Sequence, residues 1–282
     1  MSGRDPLKTA VITTVHGRSA HLRRQLDGLG RSTRAPDVHI VVALDDPAVV
    51  DVVAGHGSPA LVLDCPVSKP LPVAMGRNAG AAAALRKSAE LLVFLDVDCI
   101  PGTELIERYQ RAAVDHAEAL LCGPVTYLPP PGPSGYVLSE LPARVDPHPA
   151  RPAPAVGDVV ATTDYELFWS LSFAVRAQTW RRIGGFCERY RGYGGEDTDF
   201  AQCAAALQVP MRWVGGADAF HQYHPVSDPP VQHVDDIVRN AGIFFRRWGW
   251  WPMQGWLDAF ESDGLISRGA DGCPVRTRAR LT

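Results

Sequence analysis

Leu91-Leu92-Val93-Phe94-Leu95-Asp96-Val97-Asp98 is the stretch that decides how this 282-residue chain is read. Five consecutive apolar residues read as a short strand, and the run stops at two carboxylates one residue apart. In open α/β sheets ligands bind where strands end. Where a strand is ending, both carboxylates can converge on that edge. Leaving Asp96 and Asp98 unpaired there is costly. A hard divalent cation, Mg²⁺ or Mn²⁺ bridging to phosphates, would neutralise them. The competing reading is a surface turn, or acids capping a helix that starts at Pro101.

Working outward, strands alternate with helices. Strands are expected over 9–15, 38–44, 59–63 and 120–127, and helices over 21–29, 75–90 and 101–114. Pro101 would occupy the first-turn position that proline tolerates. Strand-like 168–175 and short helix 178–183 follow, then helix 197–207, strand 211–214 and helix 231–248. This pattern predicts an α/β fold with a mostly parallel sheet flanked by helices. Between them, nine prolines crowd residues 129–157, from Pro129 to Pro154. Regular helix and central strand are excluded there. The segment is either a functional, mobile loop or a packed connector. The Arg-rich tail from Ser267 is expected to fray.

Composition narrows the class. An apolar content of 46% in 282 residues supports a substantial core. The formal net charge of -3 gives no basic excess, so no nucleic-acid partner is expected. None of the six cysteines forms a CxxC pair, which argues against a zinc ribbon and for reduced thiols in a cytoplasmic protein. Neither a signal-peptide core nor a membrane-length apolar run is present.

Three further clusters carry chemistry. Gly192-Tyr193-Gly194-Gly195-Glu196-Asp197-Thr198-Asp199 places glycines before three acids. The acids would suit a helix N-terminus electrostatically, and a carboxylate on a glycine-lined pocket floor would suit a general base. His221-Gln222-Tyr223-His224 sets two imidazoles three residues apart after a strand, an arrangement open to metal. Gly76-Arg77-Asn78-Ala79-Gly80 puts Arg77 at a helix start, where it is either a diphosphate contact or an ordinary surface residue.

In this order the pieces resemble the GT-A (Rossmann-like nucleotide-diphospho-sugar transferase) glycosyltransferases. Most similar is the inverting family 2, with relatives carrying a galactosyltransferase-type C-terminal motif such as chondroitin polymerases and β-1,4-galactosyltransferases. The likeness runs from about residue 9 to 225. Thr13-Thr14-Val15-His16-Gly17-Arg18 matches the first strand and nucleotide-binding turn, and Asp45-Asp46 the acid that holds base or ribose. Arg77-Asn78-Ala79-Gly80 matches an RNxG helix start, and Asp96-Val97-Asp98 a DxD motif. Ile183 to Glu188 with Tyr193 to Phe200 matches the GGFDE…GxGGEDxDF run, with His221-Gln222 as the HQ step. Three departures stand out. Pro47-Ala48 follow Asp46 where Gly-Ser is common, Cys187 replaces an acid, and Tyr193 stands where some relatives have Trp.

The resemblance implies an inverting transfer from a nucleotide-sugar donor, UDP-linked by preference, to an acceptor hydroxyl on a glycan, lipid-linked or small molecule. Asp98 and His221 would bind Mn²⁺ or Mg²⁺, with Asp96 on the ribose or the metal's water shell. Arg77 would add positive charge, and Thr14, Arg18, Asp45 and Asp46 would line the donor site. Asp197 would be the base, with Glu196 hydrogen-bonding a sugar; whether His224 shares the metal stays open. The domain division implied is a GT-A catalytic domain over 1–230 and a helical extension and tail over 231–282. The former comprises a nucleotide part about 7–127, the proline-rich loop about 129–157 and an acceptor part about 158–230. A metal-dependent phosphoester or nucleotide-sugar hydrolase and a nucleotidyltransferase of related fold are the rivals. The Trp-rich C-terminal region, Trp248 to Phe260, fits a peripheral membrane contact on the inner face, a homodimer contact or a core-closing helix.

Overall fold

The computed structural model describes residues 6–133, 135–270 and 272–277. The first half alternates: β1 Thr9–Val15, α1 Ser19–Leu29, β2 Val38–Leu44, α2 Ala48–His56, β3 Leu61–Cys65, α3 Val73–Arg86 and β4 Leu91–Leu95. Then come β5 Cys99–Pro101, α4 Leu105–Asp115, β6 Leu120–Cys122, β7 Val125–Tyr127, β8 Val159–Thr162 and β9 Ser172–Arg176. The chain continues through α5 Ala177–Ile183, α6 Glu196–Ala206, β10 Met211–Val214 and β11 Ala219–His221. It closes with α7 Val234–Trp248, α8 Gln254–Ser262, β12 Ile266–Arg268 and β13 Pro274–Arg276.

Eight strands form the main sheet in the order β3-β2-β1-β4-β9-β6-β10-β8. The first four are mutually parallel, and β9 runs against both of its neighbours. Alternation along each strand separates two cores. Leu92 and Phe94 face one side with Ala81, Ala84, Trp180 and Phe200. Leu91, Val93 and Leu95 face the other with Leu105, Ile106 and Tyr109. Helices α3, α5 and α6 therefore cover one face, and α1, α2 and α4 the other. The Ala- and Gly-rich sequence of α3 has a packing reason. A Cβ on Gly80 would stand 2.5 Å from Ile12 Cγ2, so only glycine lets the helix lie this close to β1.

Several sequence expectations are corrected. Pro101 does not start a helix; it ends β5, an edge strand of a second sheet ordered β5-β11-β7, where its missing N–H is tolerated. Helix α4 begins at Leu105. The single strand expected over 120–127 is two, split at Gly123-Pro124. Gly123 passes so close to Ala217 that a Cβ would lie 2.1 Å from its carbonyl oxygen. The chain there leaves the main sheet for the small one. Helix α2 was not anticipated, although Val49, Val52 and Val53 bury one helical face. Residues 266–268 and 274–276 pair as a hairpin, where fraying was expected from Ser267; residues 271 and 278–282 lie outside the described residues.

The proline-rich segment is a packed connector. It holds a 3₁₀ helix over Leu138–Arg144 and bridges Pro147 to Thr126. Its anchor is Arg151, 5% exposed, whose guanidinium covers the rings of Trp169 at 5.1 Å and Trp213 at 4.7 Å. Burying an unpaired cation costs several kcal/mol. Two desolvated cation–π contacts return about 2 kcal/mol each. Among the described residues no two cysteines are joined in a disulfide.

Candidate active site

The strand ends gather the acidic pair, the glycine-acid turn and the two histidines at one edge. Arg77, on the second turn of α3, joins the first two. Its guanidinium donates to Asp96 Oδ1 at 2.9 Å and to Glu196 Oε1 at 3.1 Å. It is 5% exposed and also covers the Phe186 ring at 5.2 Å. Burial alone would lower its pKa; Asp96 and Glu196 outweigh that and raise it. The guanidinium is thus already committed to two carboxylates, and the surface-residue reading of Arg77 is excluded.

Asp96 and Asp98 diverge. Asp96 turns to Arg77, and burial pushes its pKa up to about 6 against the pull of that cation. Asp98 turns to the histidines: His221 Nε2 and His224 Nε2 each lie 3.5 Å from its Oδ2. Burial would raise Asp98, but His224, His221 and Arg18 together hold it below the ordinary value. His221 is lowered by burial, against the attraction of Asp98. One ligand atom from each of Asp98, His221 and His224 lies within 4.8 Å of the others. Among the described residues this is the one such cluster of three or more.

Backbone pairing creates the cluster. In the small sheet β11 runs antiparallel to β5 and sets His221 opposite Cys99, while Gln222 N–H donates to Asp98 O at 2.7 Å. Gln25, fully buried on α1, holds the acidic loop from below. Its Nε2 donates to Asp96 O at 2.7 Å and Cys99 O at 3.1 Å, and its Oε1 accepts from Thr13 Oγ1 at 2.9 Å.

Asp197 lies half-buried in the first turn of α6, receiving Thr198 N–H at 2.7 Å. Burial and then the Glu196 carboxylate push its pKa up to about 7, against Thr198 N–H and Arg77. Asp199 plays another part. Fully buried, its Oδ1 accepts from Arg247 Nε at 2.6 Å, Trp248 Nε1 at 2.8 Å and Tyr190 OH at 3.1 Å. Asn240 Nδ2 on α7 donates to the carbonyls of Arg191, Tyr193 and Gly194. Helix α7 therefore clamps the glycine turn from behind. Glycine is required at position 192: φ is +70°, and a Cβ would lie 2.0 Å from Asp236 Oδ2.

On the donor side the two candidate acids separate. Asp46 Oδ2 accepts Gly17 N–H at 2.7 Å and so fixes the turn after β1. Asp45, at φ +47°, is exposed. Thr14 is half-buried against Gly76, and Arg18 precedes α1 near Asp98. The aromatic side chains most exposed among the described residues are Tyr127, Tyr193 and Tyr223. Each adjoins this edge: Tyr127 tilts on His221 at 4.7 Å, Tyr223 precedes His224, and Tyr193 stacks on His233 at 4.5 Å.

Comparison with solved structures decides what this edge belongs to. S. aureus TarS 1-349 in complex with UDP superimposes with a TM-score of 0.58 at 12% identity, over 92% of this chain and 78% of that one. Mannosyltransferase PcManGT from Pyrobaculum calidifontis, in complex with GDP-Man and Mn²⁺, gives 0.56 at 14% identity, over 86% and 65%. The chain has the fold of the GT-A glycosyltransferases. Within it, residues 155–225 match the family described as the N-terminal domain of galactosyltransferase. That GT-A segment contains β9, the glycine turn, Asp197 and both histidines. Validoxylamine A glucosyltransferase of Streptomyces hygroscopicus subsp. limoneus is 31% identical over 267 residues, 86% of this chain. The chain spans 57% of that relative's length. No helix among the described residues of this GT-A chain is long and apolar enough to cross a membrane.

Sequence reasoning missed Gln25, Asp199, Asn240 and Gln222 as positioning residues. A buried glutamine on a helix has no distinctive spacing, so Gln25 left no signal. Asp199 did carry one, since it directly precedes Phe200-Ala201, the apolar pair that α6 buries.

Proposed function

We propose that this chain is an inverting, metal-dependent glycosyltransferase that moves a glycosyl group from a nucleoside-diphosphate sugar to an acceptor hydroxyl. The observation that carries the reading is the Arg77 bridge between Asp96 and Glu196, which makes one site of the acidic loop and the glycine-acid turn. Asp98, His221 and His224 fit a first-row divalent cation, with one carboxylate and two imidazoles converging. A mixed N/O set leans toward Mn²⁺ over Mg²⁺. When bound there, such an ion acts as a Lewis acid for the departing nucleoside diphosphate.

The chain's own residues supply the remainder. Asp197, with a pKa near neutrality, accepts the acceptor's hydroxyl proton as that oxygen attacks the anomeric carbon. Attack on the face opposite the leaving group inverts configuration. Glu196, fixed by Arg77, hydrogen-bonds a sugar hydroxyl beside the base. Asp45 binds the ribose or base, since Asp46 is held by Gly17, and Thr14 and Arg18 flank the nucleotide. Arg77 opposes the negative charge of the acids through Asp96 and is not itself the phosphate ligand. The three exposed tyrosines offer sugar-stacking faces at the rim.

The proposal is tested with a panel of nucleotide sugars, UDP-glucose first, with validoxylamine A and simple glycosides as acceptors. Transfer in Mn²⁺ that stops in EDTA supports it. Steady release of free sugar at the same rate with and without acceptor sinks it in favour of a hydrolase.

A further inference from the structure

Arg151 is used by none of the chemistry above, and its surroundings are unusual for a buried cation. Its Nε and Nη1 are fully buried, and neither donates to a hydrogen-bond acceptor. The same holds for Nε1 of Trp213, the ring that the guanidinium covers. Among the described residues no carboxylate forms an ion pair with Arg151. The ionisable groups closest to it in effect are Cys122, Tyr127, Tyr109 and Cys99, and burial raises all four. All are therefore neutral near pH 7 and none supplies a negative charge. The result is three buried donor nitrogens without acceptors beside one positive charge, with the guanidinium over two indole rings.

Cation–π contact with Trp169 and Trp213 answers the buried charge but leaves the N–H donors without acceptors. The segment's prolines add no donors or charge. A small anion would satisfy both deficits at once, charge and hydrogen bonding. Arg151 is 5% exposed, so the ion would be shut off from solvent.

We propose that Arg151, with the indole N–H of Trp213, forms a buried site for one small inorganic anion of halide size, which holds the proline-rich segment against the main sheet. The site is separate from the reaction centre. A chain of ring contacts links them, from Arg151 over Trp169, to His148 at 5.0 Å, to Tyr127 at 5.7 Å, and to His221 at 4.7 Å. Loosening the segment therefore disturbs Tyr127 and His148 before the metal cluster.

The test is chemical unfolding of the purified chain as chloride replaces gluconate, an anion too bulky to enter, at constant ionic strength. A single site on the folded state raises the folding constant about tenfold for each tenfold rise in chloride above its dissociation constant. Arg151→Gln is expected to abolish that slope. A flat dependence in the wild type, or equal slopes in wild type and variant, overturns the proposal. If Arg151→Gln does not fold, crystals of the wild-type chain grown in bromide decide the matter. An anomalous peak touching Nε or Nη1 of Arg151 supports the site, and bare density there overturns it.

Discussion

Asp197 has its pKa pushed up to about 7, by burial first and by Glu196 second. As the proposed base it would work only when deprotonated, so turnover is expected to rise with pH through that value. Its ionised fraction is about one tenth at pH 6, one half at pH 7 and nine tenths at pH 8, by ordinary titration. Over those two units kcat/KM should climb about tenfold. A carboxyl at its ordinary value of 3.8 would give a flat profile over the same range. The charges facing Asp197 shift the midpoint in known directions. Glu196→Gln removes a raising neighbour and moves it down; Arg77→Met removes a lowering one and moves it up. Asp96, at about 6, titrates a unit lower, and saturating Mn²⁺ keeps His protonation from mimicking the limb.

Asp197→Asn should cost about 10²–10⁴-fold in kcat, the range for a lost general base. Stability separates this from misfolding. The folded-state pKa is raised, so the ionised group destabilises the folded chain as pH climbs through about 7. Asp197→Asn is therefore expected to melt no lower than wild type at pH 8, while nearly inactive. A flat pH profile between 6 and 8 in an active enzyme, or an Asn variant with undiminished transfer, would refute the assignment.

Isothermal titration with Mn²⁺ should show binding in the wild-type chain and at least tenfold weaker binding in His224→Ala and Asp98→Asn, with Asp96→Asn affected less. Gln25→Leu strips two carbonyls and Thr13 of a buried partner, which costs about 1–3 kcal/mol by denaturant melt. It should also weaken Mn²⁺ binding, because the loop carrying Asp98 loses its support; unchanged affinity would make Gln25 a fold residue only. Asp199→Ala breaks a buried ion pair and one further bond to α7, with a third bond to Tyr190, and should cost about 3 kcal/mol by the same melt. If Asp199→Ala left stability intact but abolished turnover, Asp199 would belong to the chemistry and not to the clamp.

Much of the fold was legible because its signals are local. The apolar run of β4, the β-branched β1 and the Ala-rich α3 each announce themselves within a few residues, and their alternation implies the parallel sheet. What escaped is what depends on distant partners. Cys99–Pro101 is too short and too polar at its flanks to read as a strand; it becomes one only because Ala219–His221 arrives alongside. The split at Gly123-Pro124 likewise exists because Ala217 occupies the space a side chain would need.

The same division explains the site. Asp96 and Asp98 look equivalent in sequence, two acids at the end of one strand. They separate only through neighbours 19 and 123 residues away, Arg77 for the first and His221 for the second. The three acids after Gly195 look like one cluster, yet α6 turns Asp199 inward by its periodicity, to Arg247 and Trp248 of α7. That contact gives the C-terminal region a definite role. Phe244 packs on Trp250 at 4.6 Å, Phe245 on Trp251 at 4.1 Å and Trp256 on Tyr193 at 5.8 Å, so these rings face one another and the glycine turn. A turn of three glycines within four residues has little conformational preference of its own. Its shape, and with it the placement of Asp197, is imposed by Asn240, Asp236 and the buried Asp199 behind it. Helix α7 is thus part of what makes a glycine-rich sequence present Asp197 in one orientation.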